Sequence, residues 1–92
     1  MSAAAAMPTI STFLGIVIRM YYRDHAPPHF HAYYQEHEAK IAIDTREVIA
    51  GSLPRRALSL VKEWAGLHQE ELRSNWIAAE QRKPLGDIEP LE

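Results

Sequence analysis

The chain has 92 residues, of which 47% are apolar and 24% charged, and a formal net charge of −2. That length suits one domain with a single core, and the composition belongs to an ordinary folded chain, not a disordered one. The near-neutral charge excludes a global pull toward nucleic acid or anionic membrane, and the absence of cysteine excludes disulfides and thiolate metal sites.

Cysteine usage also agrees with a reducing, cytoplasmic setting. No apolar run reaches the ~20 residues needed to span a bilayer. The stretch Met1–Ala6 lacks a basic start and is followed at once by Met7-Pro8, so it reads as an extension and not a signal peptide. The expected organisation is an extension over 1–6 and a single domain over 7–92.

Leu14 to Arg23 is rich in β-branched and aromatic residues, and alternation sorts it into two faces. Ile16, Ile18, Met20 and Tyr22 form the apolar face of an expected strand, with Val17, Arg19, Tyr21 and Arg23 opposite; Gly15 is compatible with a bulge. Asp24 to Pro28 reads as a loop, because each proline removes an N–H and pushes the residue before it to an extended conformation. A second strand is expected from His29 to Gln35, with Phe30, Ala32 and Tyr34 inward. Glu36-His37-Glu38 would connect it to a third strand with Ala39, Ile41 and Ile43 inward, and Val48-Ile49-Ala50 would be a short fourth.

At Gly51-Ser52-Leu53-Pro54 the period changes. Ser52 is a suitable N-cap and Pro54 suits a first turn. Ala57, Leu58, Val61, Trp64 and Ala65 then follow helical spacing. Gly66 is the expected break before a second helical stretch from Leu67 to Arg82, lined by Leu72, Trp76 and Ala79. Leu85, Ile88 and Leu91 would pin the tail to the body or to a partner. The implied fold is α+β: three or four antiparallel strands, then two helices or one kinked helix on one sheet face. The histidine-bearing face would stay open.

The chemistry-bearing residues gather in Arg23-Asp24-His25-Ala26-Pro27-Pro28-His29-Phe30-His31-Ala32-Tyr33-Tyr34, which holds three of the five histidines. Histidines at i and i+2 on a strand point the same way, so His29 and His31 converge on one small object. A divalent metal such as zinc or nickel is one candidate, with His25 as a third ligand and Asp24 as ligand or hydrogen-bond acceptor behind it. A phosphodiester is the other. There His29 and His31 would act as acid and base beside His25, with Arg19, Arg23 and Lys40 as phosphate-binding cations and Tyr21 and Tyr33 as base platforms. His37 between two glutamates reads as solvated, His68 as a capping or surface group, and Trp64 and Trp76 as core.

Met7 to Ser11, Asp24 to Tyr34, Gly51 to Leu58 and Asn75-Trp76 together resemble a family of small bacterial proteins, the domain-of-unknown-function family 4160. The resemblance runs from Met7 to Glu92, and the His-x-Pro-Pro-His-Phe-His-type segment is its most specific part. Ala26 stands at the variable position, and Thr45-Arg46 replaces a glycine-containing turn. The resemblance implies the toxin half of a type II toxin–antitoxin module, with an antitoxin partner from domain-of-unknown-function family 2442. It assigns no catalytic residue. The expected function is therefore an RNA-cleaving or RNA-blocking toxin, against a non-enzymatic protein-binding module or a metal-binding protein.

Overall fold

Tight turns organise the first half of the molecule. The computed structural model describes residues 8–92, so the expected extension Met1–Ala6 and the expected domain start at Met7 lie outside the described residues. Five strands follow one another: β1 (Thr9–Phe13), β2 (Ile16–Arg19), β3 (His29–Tyr34), β4 (His37–Ala42) and β5 (Val48–Ser52). They pair in chain order as one antiparallel sheet.

The five strands correct the expected three or four. Leu14 and Gly15, with φ of 53° and 81°, form a two-residue turn that pairs Phe13 with Ile16. Two central residues at positive φ match the right-handed twist of a hairpin. What reads as one strand starting at Leu14 is therefore a turn and the second arm of a hairpin. The first arm, Thr-Ile-Ser-Thr-Phe, hides its strand character behind hydroxyl residues.

A similar shift affects the next hairpin. Gln35, at φ 54°, and Glu36 make the turn, and His37 already pairs with Tyr34. His37 and Glu38 thus belong to β4 and not to the connection. The register sets Glu38 opposite Tyr33 and Lys40 opposite His31.

Two helices complete the fold, α1 (Arg55–Leu67) and α2 (Gln69–Glu80). Ser52, the expected N-cap, ends β5 instead, paired with Glu38. The capping position falls to Pro54, which makes no side-chain cap bond. Its carbonyl accepts from the Leu58 N–H at 2.9 Å. The break between the helices is at His68, with φ −128° and ψ 30°, and not at Gly66. Gly66 remains helical and lies under the Arg46 side chain, where an added Cβ would stand 2.6 Å from Arg46 Nη1.

Both helices contribute to one core. Ile16, Ile18, Met20, Phe30, Ile41, Ile43, Val61, Trp64 and Leu72 are fully buried. Each such side chain contributes about 1.5–3 kcal/mol of transfer free energy. Trp64 is central, its ring 5.4 Å from Phe13 and 5.8 Å edge-on from Phe30. The tail packs on its own chain: Trp64 Nε1–H donates to the Glu89 carbonyl at 2.9 Å, and the Ile88 N–H to the Ile10 carbonyl at 2.8 Å. No helix of the described residues is long and apolar enough to cross a membrane.

Candidate functional site: a histidine–carboxylate cluster on the outer sheet face

Period-two alternation along β3 sends Phe30 and Ala32 into the core and His29, His31 and Tyr33 to the other face. The helices pack mainly on the opposite face, and the histidine face is not the open one expected. His29 and His31 are each only 3% exposed. Their cover is local: the chain from Met20 to Pro28 turns back over them, bringing Tyr21 and Asp24 against the imidazoles. The Tyr21 and His31 rings stack with centroids 4.3 Å apart. Trp76, placed by its spacing in the helical core, also lines the site, 5.3 Å from the His29 ring.

Asp24 is the hub. Its Oδ2 lies 3.1 Å from His29 Nε2 and 3.2 Å from His31 Nε2. The ligating atoms of Asp24, His29 and His31 all fall within 4.8 Å of one another, a group that could hold a metal ion. Every member is also held from behind. His29 Nδ1–H donates to the Pro27 carbonyl at 2.7 Å, and His31 Nδ1 faces Glu38 Oε2 at 3.4 Å. The His25 backbone N–H donates to the other oxygen of Asp24 at 2.8 Å. Burial alone would raise the Asp24 carboxyl, but the His25 N–H, the His31 hydrogen bond and the two imidazoles outweigh it and hold the group below its ordinary range.

Beside the cluster lies an aromatic and cationic margin. The Tyr21 and Tyr33 hydroxyls share a hydrogen bond of 2.8 Å. Burial, that bond and the Glu38 charge push the Tyr33 phenol well above its usual value, so it is neutral. Arg19 sits with its guanidinium 5.3 Å over the Tyr33 ring while its Nε–H donates to Thr9 Oγ1 at 3.2 Å. Arg19, His31 and Lys40 are direct cross-strand neighbours, so the two cations flank His31 in one row.

Two expected residues stand apart. His25 joins through its backbone only, and its side chain is exposed and outside the converging group. Arg23 is exposed on the same loop, at φ 54°. Conversely, Glu38 was hidden in the sequence by the misplaced turn. Moving that turn to Gln35-Glu36 puts Glu38 on the histidine face. His68 pairs with Glu71, three residues on, and His37 lies 3.8 Å from Glu36; neither approaches the cluster.

The fold and site define a small α+β domain with a buried histidine–carboxylate cluster on the sheet face opposite its helices. The profile of a domain of unknown function (DUF4160) matches residues 15–77, and the chain belongs to that family. The matched segment contains Asp24, His29, His31 and Glu38. No curated protein and no solved structure matches the chain.

Proposed function

We propose that this domain is the toxin half of a type II toxin–antitoxin module, acting in the cytoplasm on RNA from the outer face of its sheet. The observation that carries the reading is the convergence of both histidine Nε2 atoms on one carboxylate oxygen, in a row flanked by Arg19 and Lys40. Phosphodiester cleavage needs a proton taken from the attacking hydroxyl and one given to the leaving oxygen, with cations on the phosphate. Asp24, His29 and His31 are the groups suited to the proton traffic, either directly or through a divalent cation such as zinc or nickel. Arg19 and Lys40 are the phosphate contacts, and Tyr21 and Tyr33 the surface on which a base stacks. Arg23, exposed on the loop beside the cluster, is the further cation proposed for the substrate strand.

The test is cleavage of total and ribosome-bound RNA by the purified protein, in EDTA and with added zinc or manganese. Growth on inducing the gene alone is followed in parallel. The expected result is RNA cleavage and growth arrest, both lost in His29→Ala/His31→Ala at equal protein level; the chelator arm separates imidazole chemistry from metal-borne chemistry. Equal cleavage by the double variant removes the assignment.

A second reading is favoured by the cover over the histidines, whose side chains are only 4% exposed. On it the domain is a protein-binding module whose outer face docks its antitoxin, of domain-of-unknown-function family 2442. That reading expects no cleavage and a stable complex weakened by Arg19→Glu or Lys40→Glu.

A further inference from the structure

The hydrogen bonds around the cluster leave a position that protons alone fill poorly. The Pro27 carbonyl can only accept, so the proton of a neutral His29 belongs on Nδ1. Its Nε2 then offers a lone pair, and what faces that lone pair at 3.1 Å is a carboxylate oxygen, which also only accepts. Glu38 makes the same demand on His31 Nδ1, over a longer 3.4 Å, and His31 Nε2 faces the same Asp24 oxygen at 3.2 Å. Three electron-pair donors therefore point at one place. Two arrangements satisfy them: extra protons on the imidazoles, or a cation between them.

The surroundings favour the cation. A metal-binding histidine regularly gives its second ring N–H to a carbonyl or carboxylate, and a metal-binding carboxylate is itself hydrogen-bonded. All three residues here have that second contact: Pro27 O behind His29, Glu38 behind His31, and the His25 N–H behind Asp24. The spacing is compatible as well. Ligands about 2.0–2.1 Å from a tetrahedral ion lie roughly 3.3 Å apart; the two separations from Asp24 Oδ2 are 3.1 and 3.2 Å, and all three ligand atoms lie within 4.8 Å of one another.

We propose that Asp24 Oδ2, His29 Nε2 and His31 Nε2 form a binding site for one divalent transition-metal ion of the zinc class, with Glu38 as the positioning residue behind His31. Two imidazoles and one carboxylate, without thiolate, suit zinc, cobalt or nickel better than magnesium or calcium, which prefer all-oxygen sets. Three protein ligands leave a coordination position for water or substrate, the pattern of reactive and not purely structural zinc sites. The exposed His25 side chain is not a ligand, which replaces the set of three histidines expected from the sequence. The inference deepens the reading above at the same centre, and its test reads metal and not RNA, so the two can fail separately.

The experiment uses the full chain, stripped with chelator and titrated with zinc, then with cobalt(II) as a spectroscopic probe. The expected result is about one zinc per chain and a cobalt spectrum showing nitrogen and oxygen ligands with no thiolate band. Asp24→Asn keeps the side-chain shape on an irregular loop, and His31→Gln is the second variant; each weakens zinc binding by at least about 100-fold. Glu38→Ala, which removes only the group behind His31, weakens it about 10- to 100-fold. His25→Ala and His68→Ala leave affinity unchanged. Circular dichroism confirms that each variant is folded, and Asp24→Asn and Glu38→Ala keep the test decisive should His31→Gln not fold. Less than a tenth of an equivalent of zinc bound by folded wild-type protein at about 100 µM overturns the proposal. So does zinc binding that Asp24→Asn leaves intact, which assigns the metal to surface pairs such as His68–Glu71.

Discussion

The two faces of the sheet are buried by opposite means. The inner face is covered by α1 and α2 and is mainly apolar, with Trp64 packed against Phe13 and Phe30 and Ser11 a buried polar exception. On the outer face, His29 and His31 are as buried as much of that core, yet their cover is mainly a loop, with Trp76 of α2 beside His29, and their other neighbours are Asp24, Tyr21 and Tyr33. Apolar packing stabilises without regard to chemistry, whereas buried ionisable groups are costly and often replaceable by apolar ones without loss. The inner face accordingly supplies stability, and the outer face carries the groups that stability alone does not require.

That contrast can be broken from either side. Trp64→Ala should have the largest effect, destabilising the domain by about 3–5 kcal/mol in urea unfolding. A loss below about 1 kcal/mol would show that the inner face is not the main source of stability. Asp24→Ala, in the absence of metal, should cost about 1–3 kcal/mol, because both imidazoles lose their shared acceptor. Replacing the whole cluster by Asp24→Ala/His29→Leu/His31→Leu should recover part of that loss while abolishing the chemistry of the face. A triple variant much less stable than the single one would make the cluster structural.

Smaller effects sharpen the picture at its margins. Gly51→Ala should cost about 1–3 kcal/mol, since Gly51 has φ 74° and a Cβ there would collide with the Glu38 carbonyl. It should also disturb the strand that carries Glu38. Tyr33→Phe should cost about 1 kcal/mol for the lost Tyr21 hydrogen bond. The Tyr33 phenol is raised from its ordinary 10.0, so its stabilising contribution is complete below that pH and fades as pH rises toward the folded value. Ultraviolet titration of the wild type should therefore hold back one tyrosine beyond the ordinary range, and Tyr33→Phe should lose that delayed step.

Much of this arrangement was legible in the residues. Alternation alone separated Ile16, Ile18, Met20, Phe30, Ala32 and Ile41 from Arg19, His29, His31 and Tyr33, because a sheet with one apolar face fixes its own register. Helical spacing found Trp64 and Leu72. The missed pieces were local backbone decisions. Leu14 adopts positive φ without the asparagine that announces such a turn, its Gly15 partner reading instead as a bulge, and Gln35 does so with no glycine or asparagine beside it. One hid β1, and the other hid Glu38. His25 was expected beside His29 and His31, but the loop turns onto them the carboxylate of Asp24, expected as a ligand or as an acceptor behind one, and leaves the His25 imidazole exposed. A loop fold of that kind has no periodicity from which to read it.

The most direct measurement is thermal unfolding of the full chain with and without zinc, in wild type and in Asp24→Asn. At zinc about 100-fold above the dissociation constant, binding only to the folded state adds about 2.7 kcal/mol. For a domain of this size that raises the midpoint by roughly 10–20 °C. A saturable rise of that order in wild type, absent from Asp24→Asn, is the expected result. An unchanged wild-type midpoint, or the same rise in both proteins, would contradict a metal centre built on Asp24, His29 and His31.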